Sequence, residues 1–247
     1  MNKSATDPYW KWPRTFQRLK HLELLLALIG IIVGQALLNG DSNTNRTIFN
    51  LLFFTVVLSA MRSLSQSRWS QIFAITVGVI ALSGSVMAES QPTRGLLLSI
   101  YGCYLIIFLS LLVTLCKSVF HSGRIDTNRI IGAISIYFLL ALIWALIYSL
   151  IEVWQPNSFN IPNYVALGIR QQMICDLIYF SNVTLTTLGY GDIVPISNLA
   201  RTLANLEAIA GQLYVAIVIA SMVGMQVTQQ IQDKAFLNRP EQKTDDS

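Results

Sequence analysis

The chain has 247 residues, 53% of them hydrophobic and only 12% charged, with a formal net charge of +4. Soluble domains carry about 25% charged residues, so this composition excludes an ordinary soluble enzyme or scaffold and assigns the chain to a lipid bilayer. No basic stripe interleaved with aromatics runs along an aqueous face, which excludes nucleic acid as the partner behind the positive charge.

Residues 1–21 combine Tyr9, Trp10 and Trp12 with Lys3, Lys11, Arg14, Arg18 and Lys20. That mixture suits a segment lying at the cytoplasmic headgroup layer, and equally a disordered tail. Six apolar stretches follow, at about 22–39, 48–66, 70–88, 95–116, 130–154 and 202–225. Each approaches the ~20 residues that a bilayer core demands of a helix. The second is the weakest, because fifteen residues separate Arg46 from Arg62, roughly 23 Å of helix at ~1.5 Å per residue. Snorkelling of both arginines to the headgroups makes up the shortfall.

With six crossings and both termini on one side, that side holds thirteen of the seventeen Lys and Arg residues, leaving Arg46, Arg94, Arg170 and Arg201 opposite. This asymmetry predicts cytoplasmic termini by the positive-inside rule. Dropping the second stretch would move the amino terminus outside and spoil it. The fourth stretch, Gly95 to Cys116, contains no arginine, so the regular ladder that carries charge through the membrane field is missing and weak or no voltage dependence is expected.

Cys103, Cys116 and Cys175 are odd in number and lie in or beside apolar segments, as buried small hydrophobes do, and they outline no disulfide framework. His21 and His121 are isolated near cytoplasmic boundaries, and no nucleotide-binding motif, paired catalytic carboxylate or metal cluster accompanies them. The expectation is a protein that is not an enzyme and needs no cofactor.

Between the fifth and sixth stretches lies Thr184-Leu-Thr-Thr-Leu-Gly-Tyr-Gly-Asp192, a polar run punctuated by glycine. A glycine-rich turn alone usually marks a loop; here it follows a short helical pattern from about Gln172 to Thr186 and precedes a spanning helix. Gly189 and Gly191 permit positive φ at alternate positions, which lets the carbonyls of Thr187, Leu188, Gly189 and Tyr190 point the same way. A strand would splay them apart. Four copies around an axis would stack those carbonyls and the Thr187 hydroxyl into rings that replace the water shell of a bare cation.

The run Thr187-Leu-Gly-Tyr-Gly191 resembles the potassium-channel signature Thr-Val-Gly-Tyr-Gly, with Leu188 in place of valine. Residues 128–230 resemble the pore module of tetrameric cation channels, and the whole chain the six-span prokaryotic type. The resemblance implies an all-α integral membrane fold of six transmembrane helices, with a re-entrant pore helix and filter loop between the fifth and sixth. Its parts would be a cytoplasmic segment 1–21, a four-helix block 22–118, the pore module 128–230 and a cytoplasmic tail 231–247. Such a tail would be too short for a sensing domain. Potassium would be held by the backbone carbonyls of Thr187, Leu188, Gly189 and Tyr190, with Gly191 completing the filter.

Because residue 188 offers its carbonyl to the ion and its side chain to protein, leucine should alter packing more than coordination. Thr184 and Thr186 are expected to support the filter from the pore helix. Asp192 is expected at the outer mouth, either concentrating cations or hydrogen-bonding the back of the pore helix. Tyr179, Phe180 and Tyr190 are candidates for an aromatic collar. Gly211 lies twenty residues beyond Gly191, a spacing that resembles the inner-helix hinge of the family, although small residues in membrane helices serve close packing as well. Glu207 is a lone acid inside a span and needs a partner, with Asn182 or a threonine of the pore helix as candidates. Gln212, Ala216, Ile219, Ala220, Val223 and Val227 are candidates for the cavity and inner gate.

The expected function is passive, potassium-selective conduction by this chain and three further copies in a prokaryotic inner membrane. The alternatives are a non-selective cation channel and a silent or regulatory subunit of a heteromeric one.

Overall fold

The computed structural model describes residues 20–37, 48, 51–59, 68–90, 93–120, 127–161 and 170–237. Most of the aromatic amino-terminal segment, part of the approach to the pore helix and the last ten residues lie outside them. The elements are α1 (Lys20–Leu37), a helical piece at 51–59, α2 (Arg68–Ser90), α3 (Arg94–Phe120), α4 (Thr127–Trp154), β1 (Phe159–Asn160), α5 (Arg170–Leu185), β2 (Val194–Pro195) and α6 (Asn198–Leu237).

Among the described residues, three helices are long and apolar enough to cross a membrane: Arg94–Phe120, Thr127–Trp154 and the Asn198–Val227 part of α6. Shorter apolar helical stretches occupy His21–Gly34, Thr76–Ser85 and Met173–Leu185. The protein is a mostly helical integral membrane protein. Of the second expected span, 48–66, the described residues are 48 and 51–59, all helical, and the rest lies outside them.

The helices α3 and α4 are apolar on every face, so their sequences do not announce which face is buried. Shape decides it. Leu97, Ile100, Tyr104, Ile107, Phe108, Leu111 and Leu115 are buried on α3, spaced as one helical stripe, and this helix packs between α2 and α4. Phe53 of the 51–59 piece joins it through ring contacts with Tyr104 and Phe108 at 5.3 and 6.1 Å. α4 is the hub, touching α1, α3, α5 and α6. Its buried Ser135 and Ser149 hydroxyls donate back to the carbonyls of Ile131 and Ala145, both at 2.8 Å, so neither leaves a bare polar group inside the bilayer.

Two boundaries differ from expectation. The pore helix ends at Leu185 rather than Thr186, because the Leu188 and Gly189 amides fold back onto Val183 O, at 2.9 and 3.3 Å, and Thr187 N bonds Thr184 O at 2.9 Å. The last helix runs on to Leu237, beyond the apolar stretch expected at 202–225, since no proline or glycine interrupts the chain between Gly224 and Pro240. The all-α description also needs a small amendment. β1 and β2 pair antiparallel, Phe159 opposite Pro195 and Asn160 opposite Val194. This joins the loop before the pore helix to the loop after the glycine run.

Candidate functional site

The glycine run departs from α5 with positive φ at Thr187 (58°), Gly189 (61°) and Gly191 (80°). Leu188 and Tyr190 between them are not in that region. Alternation of left-handed and ordinary φ turns successive peptide units the same way instead of opposite ways. Glycine bears it without cost, whereas a β-branched threonine in this region is strained. The sequence reading placed positive φ at the two glycines and missed Thr187, because threonine carries no signal for it.

Residues 186–192 are all exposed on the single chain, Leu188 by 54% and Tyr190 by 67%. Leu188 is thus left about half uncovered by its own chain. The α6 helix is likewise uncovered. In its most apolar stretch 6% is buried, against 56% in α4. An apolar helix with so little covered surface beside an exposed polar loop leaves both for other molecules to cover.

Behind the loop, α4, α5 and α6 are bolted together by polar contacts. Glu207 on α6 is fully buried. Its Oε2 accepts from the Tyr148 hydroxyl of α4 at 2.5 Å, and its Oε1 lies against the Ser181 hydroxyl of α5. Ser181 Oγ is also 2.8 Å from the Ala141 carbonyl. The partners are thus a serine and a tyrosine, not Asn182 or a threonine; the Asn182 amide is occupied by Ile178 O at 2.8 Å. Tyr148 further anchors an aromatic trio with Phe159 and Phe180, all three ring pairs edge to face at 5.2–5.3 Å. Phe180 thus packs in the core, while Tyr190 stays at the surface.

Gly211 sits where α6 crosses the end of α5. A Cβ there would lie 2.3 Å from Leu185 O, and that same carbonyl accepts from the Tyr137 hydroxyl at 3.1 Å. Close packing is therefore the role visible at Gly211, and α6 is continuous through it. Next to it, Gln212 Nε2 donates to Thr187 Oγ1 at 3.2 Å. Thr184 supports the loop through its carbonyl, and the Thr186 hydroxyl turns back to Asn182 O at 2.7 Å.

At the other end of the run, the Tyr179 hydroxyl donates to Asp192 Oδ2 at 2.8 Å. That bond holds the Asp192 carboxyl below the usual carboxylate range, outweighing the opposing effect of its partial desolvation. Of the two expected roles, the structure brings Asp192 onto the back of the pore helix. Glu152, at the end of α4, was not singled out from the sequence. It is fully buried and accepts from the amides of Asn157, Ser158 and Phe159 at 2.7, 3.0 and 3.1 Å. Three amide donors fix the turn that leads into β1. An acid in the last turn of a helix, against the dipole preference, was the available signal.

Fold and site together define a membrane protein with an ion-channel module: two long helices flanking a shorter one that ends in a loop of alternating φ. Residues 136–227 match the family described as "Ion channel", and the relatives similar over this part of the chain include proteins named as potassium channels. It is 28% identical over 106 residues to Protein LctB of Geobacillus stearothermophilus, covering 43% of this chain and 78% of that one. It is 32% identical over 108 residues to the inward rectifier potassium channel Kirbac3.1 of Paramagnetospirillum magnetotacticum, 41% of this chain and 36% of the relative. Two pore potassium channel b of Oryza sativa subsp. japonica is 31% identical over 99 residues, 38% of this chain and 24% of the plant protein. The chain therefore spans most of LctB but about a third or less of the two potassium channels. No solved structure matches it significantly.

Proposed function

We propose that four copies of this chain form a potassium-selective pore that conducts passively down the electrochemical gradient. The observation that carries this reading is the alternation of left-handed φ at Thr187, Gly189 and Gly191, the backbone form that lets four neighbouring chains present rings of carbonyl oxygen to one ion. Exposed backbone at this depth is tolerated only where it lines water or is enclosed by protein. A closed fourfold ring supplies both, and it covers the apolar surface that α6 leaves open. In the proposed arrangement α5 is the re-entrant helix, its carboxyl end aimed at the cavity, where the helix dipole favours a cation.

The rest of the proposed architecture is six spans with both termini in the cytoplasm of a prokaryotic cell, and no voltage sensor. The charged residues of α3 are Arg94 and Lys117, near its two ends, which supports the last point. Relatives that carry the name of potassium channels support the choice of ion. Liposomes loaded with potassium and containing the purified full chain test it: a barium-sensitive potassium flux, with little sodium flux, is expected. Equal sodium and potassium fluxes would replace this reading with a non-selective channel, and no flux from a verified tetramer with a silent subunit.

A further inference from the structure

The stretch of α6 from Ala208 to Ala220 is apolar except for Gln212 and Tyr214. The Tyr214 hydroxyl is satisfied against α4, donating to Ala133 O at 2.7 Å. Gln212 is different. Its side chain is exposed on the single chain, yet its amide reaches the first residue of the loop, Nε2 donating to Thr187 Oγ1 at 3.2 Å. The close packing of Gly211 on the Leu185 carbonyl sets that reach, since it brings α6 against the end of the pore helix one residue earlier. Thr187 is also the strained residue of the loop, with φ 58° on a β-branched side chain. Such a conformation persists only where its surroundings over-determine it.

We infer that Gln212 is a positioning residue that sets the innermost cation site, by holding the Thr187 hydroxyl in the orientation that leaves a lone pair for the ion. This rests on the proposed fourfold pore. A hydroxyl oxygen has two lone pairs and one proton. When the Gln212 amide occupies one pair, the other points away from it, and four such hydroxyls form the last ring a cation meets before the watery cavity. Without the amide donor the Thr187 side chain is free to rotate, and the ring loses its common orientation. The ligand class is a dehydrated cation of potassium's size; barium, of similar radius and twice the charge, reports on such a site more sensitively than potassium.

The test is barium block of potassium flux in liposomes containing the full chain, for wild type, Gln212→Leu, Thr187→Ala and the double variant. Gln212→Leu is expected to weaken barium block about 10-fold, which corresponds to about 1.4 kcal/mol. In the Thr187→Ala background the same change is expected to move it less than twofold, because the group being positioned is gone. A merely structural residue would lower the yield of tetramer and leave the barium affinity of the assembled channels alone. Should the leucine variant fail to assemble, Gln212→Asn keeps an amide one methylene too short and is expected to show the same loss. Barium affinity within twofold of wild type in the assembled variant, or an equal loss in both backgrounds, overturns the inference. Absence of potassium flux from the wild type overturns the pore reading itself, and this inference with it.

Discussion

Replacing Gly211 by alanine puts one methyl group into the crossing of α6 and the pore helix. The added carbon would lie 2.3 Å from Leu185 O, 3.0 Å from Leu185 Cδ1 and 3.2 Å from the Leu185 carbonyl carbon, inside the roughly 3.5 Å at which non-bonded carbon contacts become favourable. The nearest atom belongs to the backbone, so no change of rotamer relieves the overlap and the helices must part by about 1 Å. Overpacking of this kind costs about 1–3 kcal/mol. Moving the Leu185 carbonyl also stretches its 3.1 Å bond from Tyr137, a further ~0.5–1.5 kcal/mol. Gly211→Ala is therefore expected to destabilise each chain by about 1.5–4.5 kcal/mol.

Gly224, further along the same helix, has nothing beyond its own helix backbone within 4 Å of where its Cβ would be on the single chain. Alanine there should be neutral, or stabilising by up to ~1 kcal/mol through helix propensity. Thermal dissociation of the detergent-solubilised assembly, followed by size-exclusion chromatography, compares the two, with potassium flux as the functional measure. A Gly211→Ala protein with the wild-type dissociation midpoint and altered gating alone would refute the packing argument and restore the hinge.

Glu207→Ala removes the partner of the Tyr148 hydroxyl in a fully buried site, while Ser181 keeps its bond to the Ala141 carbonyl, and about 1–3 kcal/mol is expected for the one stranded hydroxyl. Glu207→Gln keeps an acceptor for the tyrosine and a group that can bond the serine, so most of the loss should return, as denaturant or thermal unfolding can measure. Asp192 contributes a bond whose folded-state carboxyl titrates below its ordinary value. That contribution is present above the ordinary carboxylate range, about pH 4, and is lost as pH falls through the lowered value. Tyr179→Phe should therefore move the acid loss of this contribution toward higher pH, which thermal dissociation measured against pH can follow. Leu188→Val is expected to keep the ratio of potassium to sodium flux and to shift stability by less than about 1.5 kcal/mol; a changed ratio would mean that the side chain at 188 reaches the coordinating oxygens.

Membrane residence, the position of the polar run between two long apolar helices, and the need for positive φ at Gly189 and Gly191 all follow from the chain read alone. Hydrophobic length and the absence of a Cβ are properties of single residues and short windows, and they survive without knowledge of neighbours. The partners of Glu207 do not follow. Ser181 and Tyr148 are 26 and 59 residues away, and nothing in a helix that is apolar on every face says which face turns toward them. Glu152 escaped notice for a related reason, since its three amide donors come from a turn whose direction is decided by the pairing of β1 with β2. The left-handed Thr187 and the close crossing at Gly211 likewise belong to the tertiary structure. Backbone strain and helix separation are settled by the sum of contacts around a residue, and a linear order of side chains does not contain that sum.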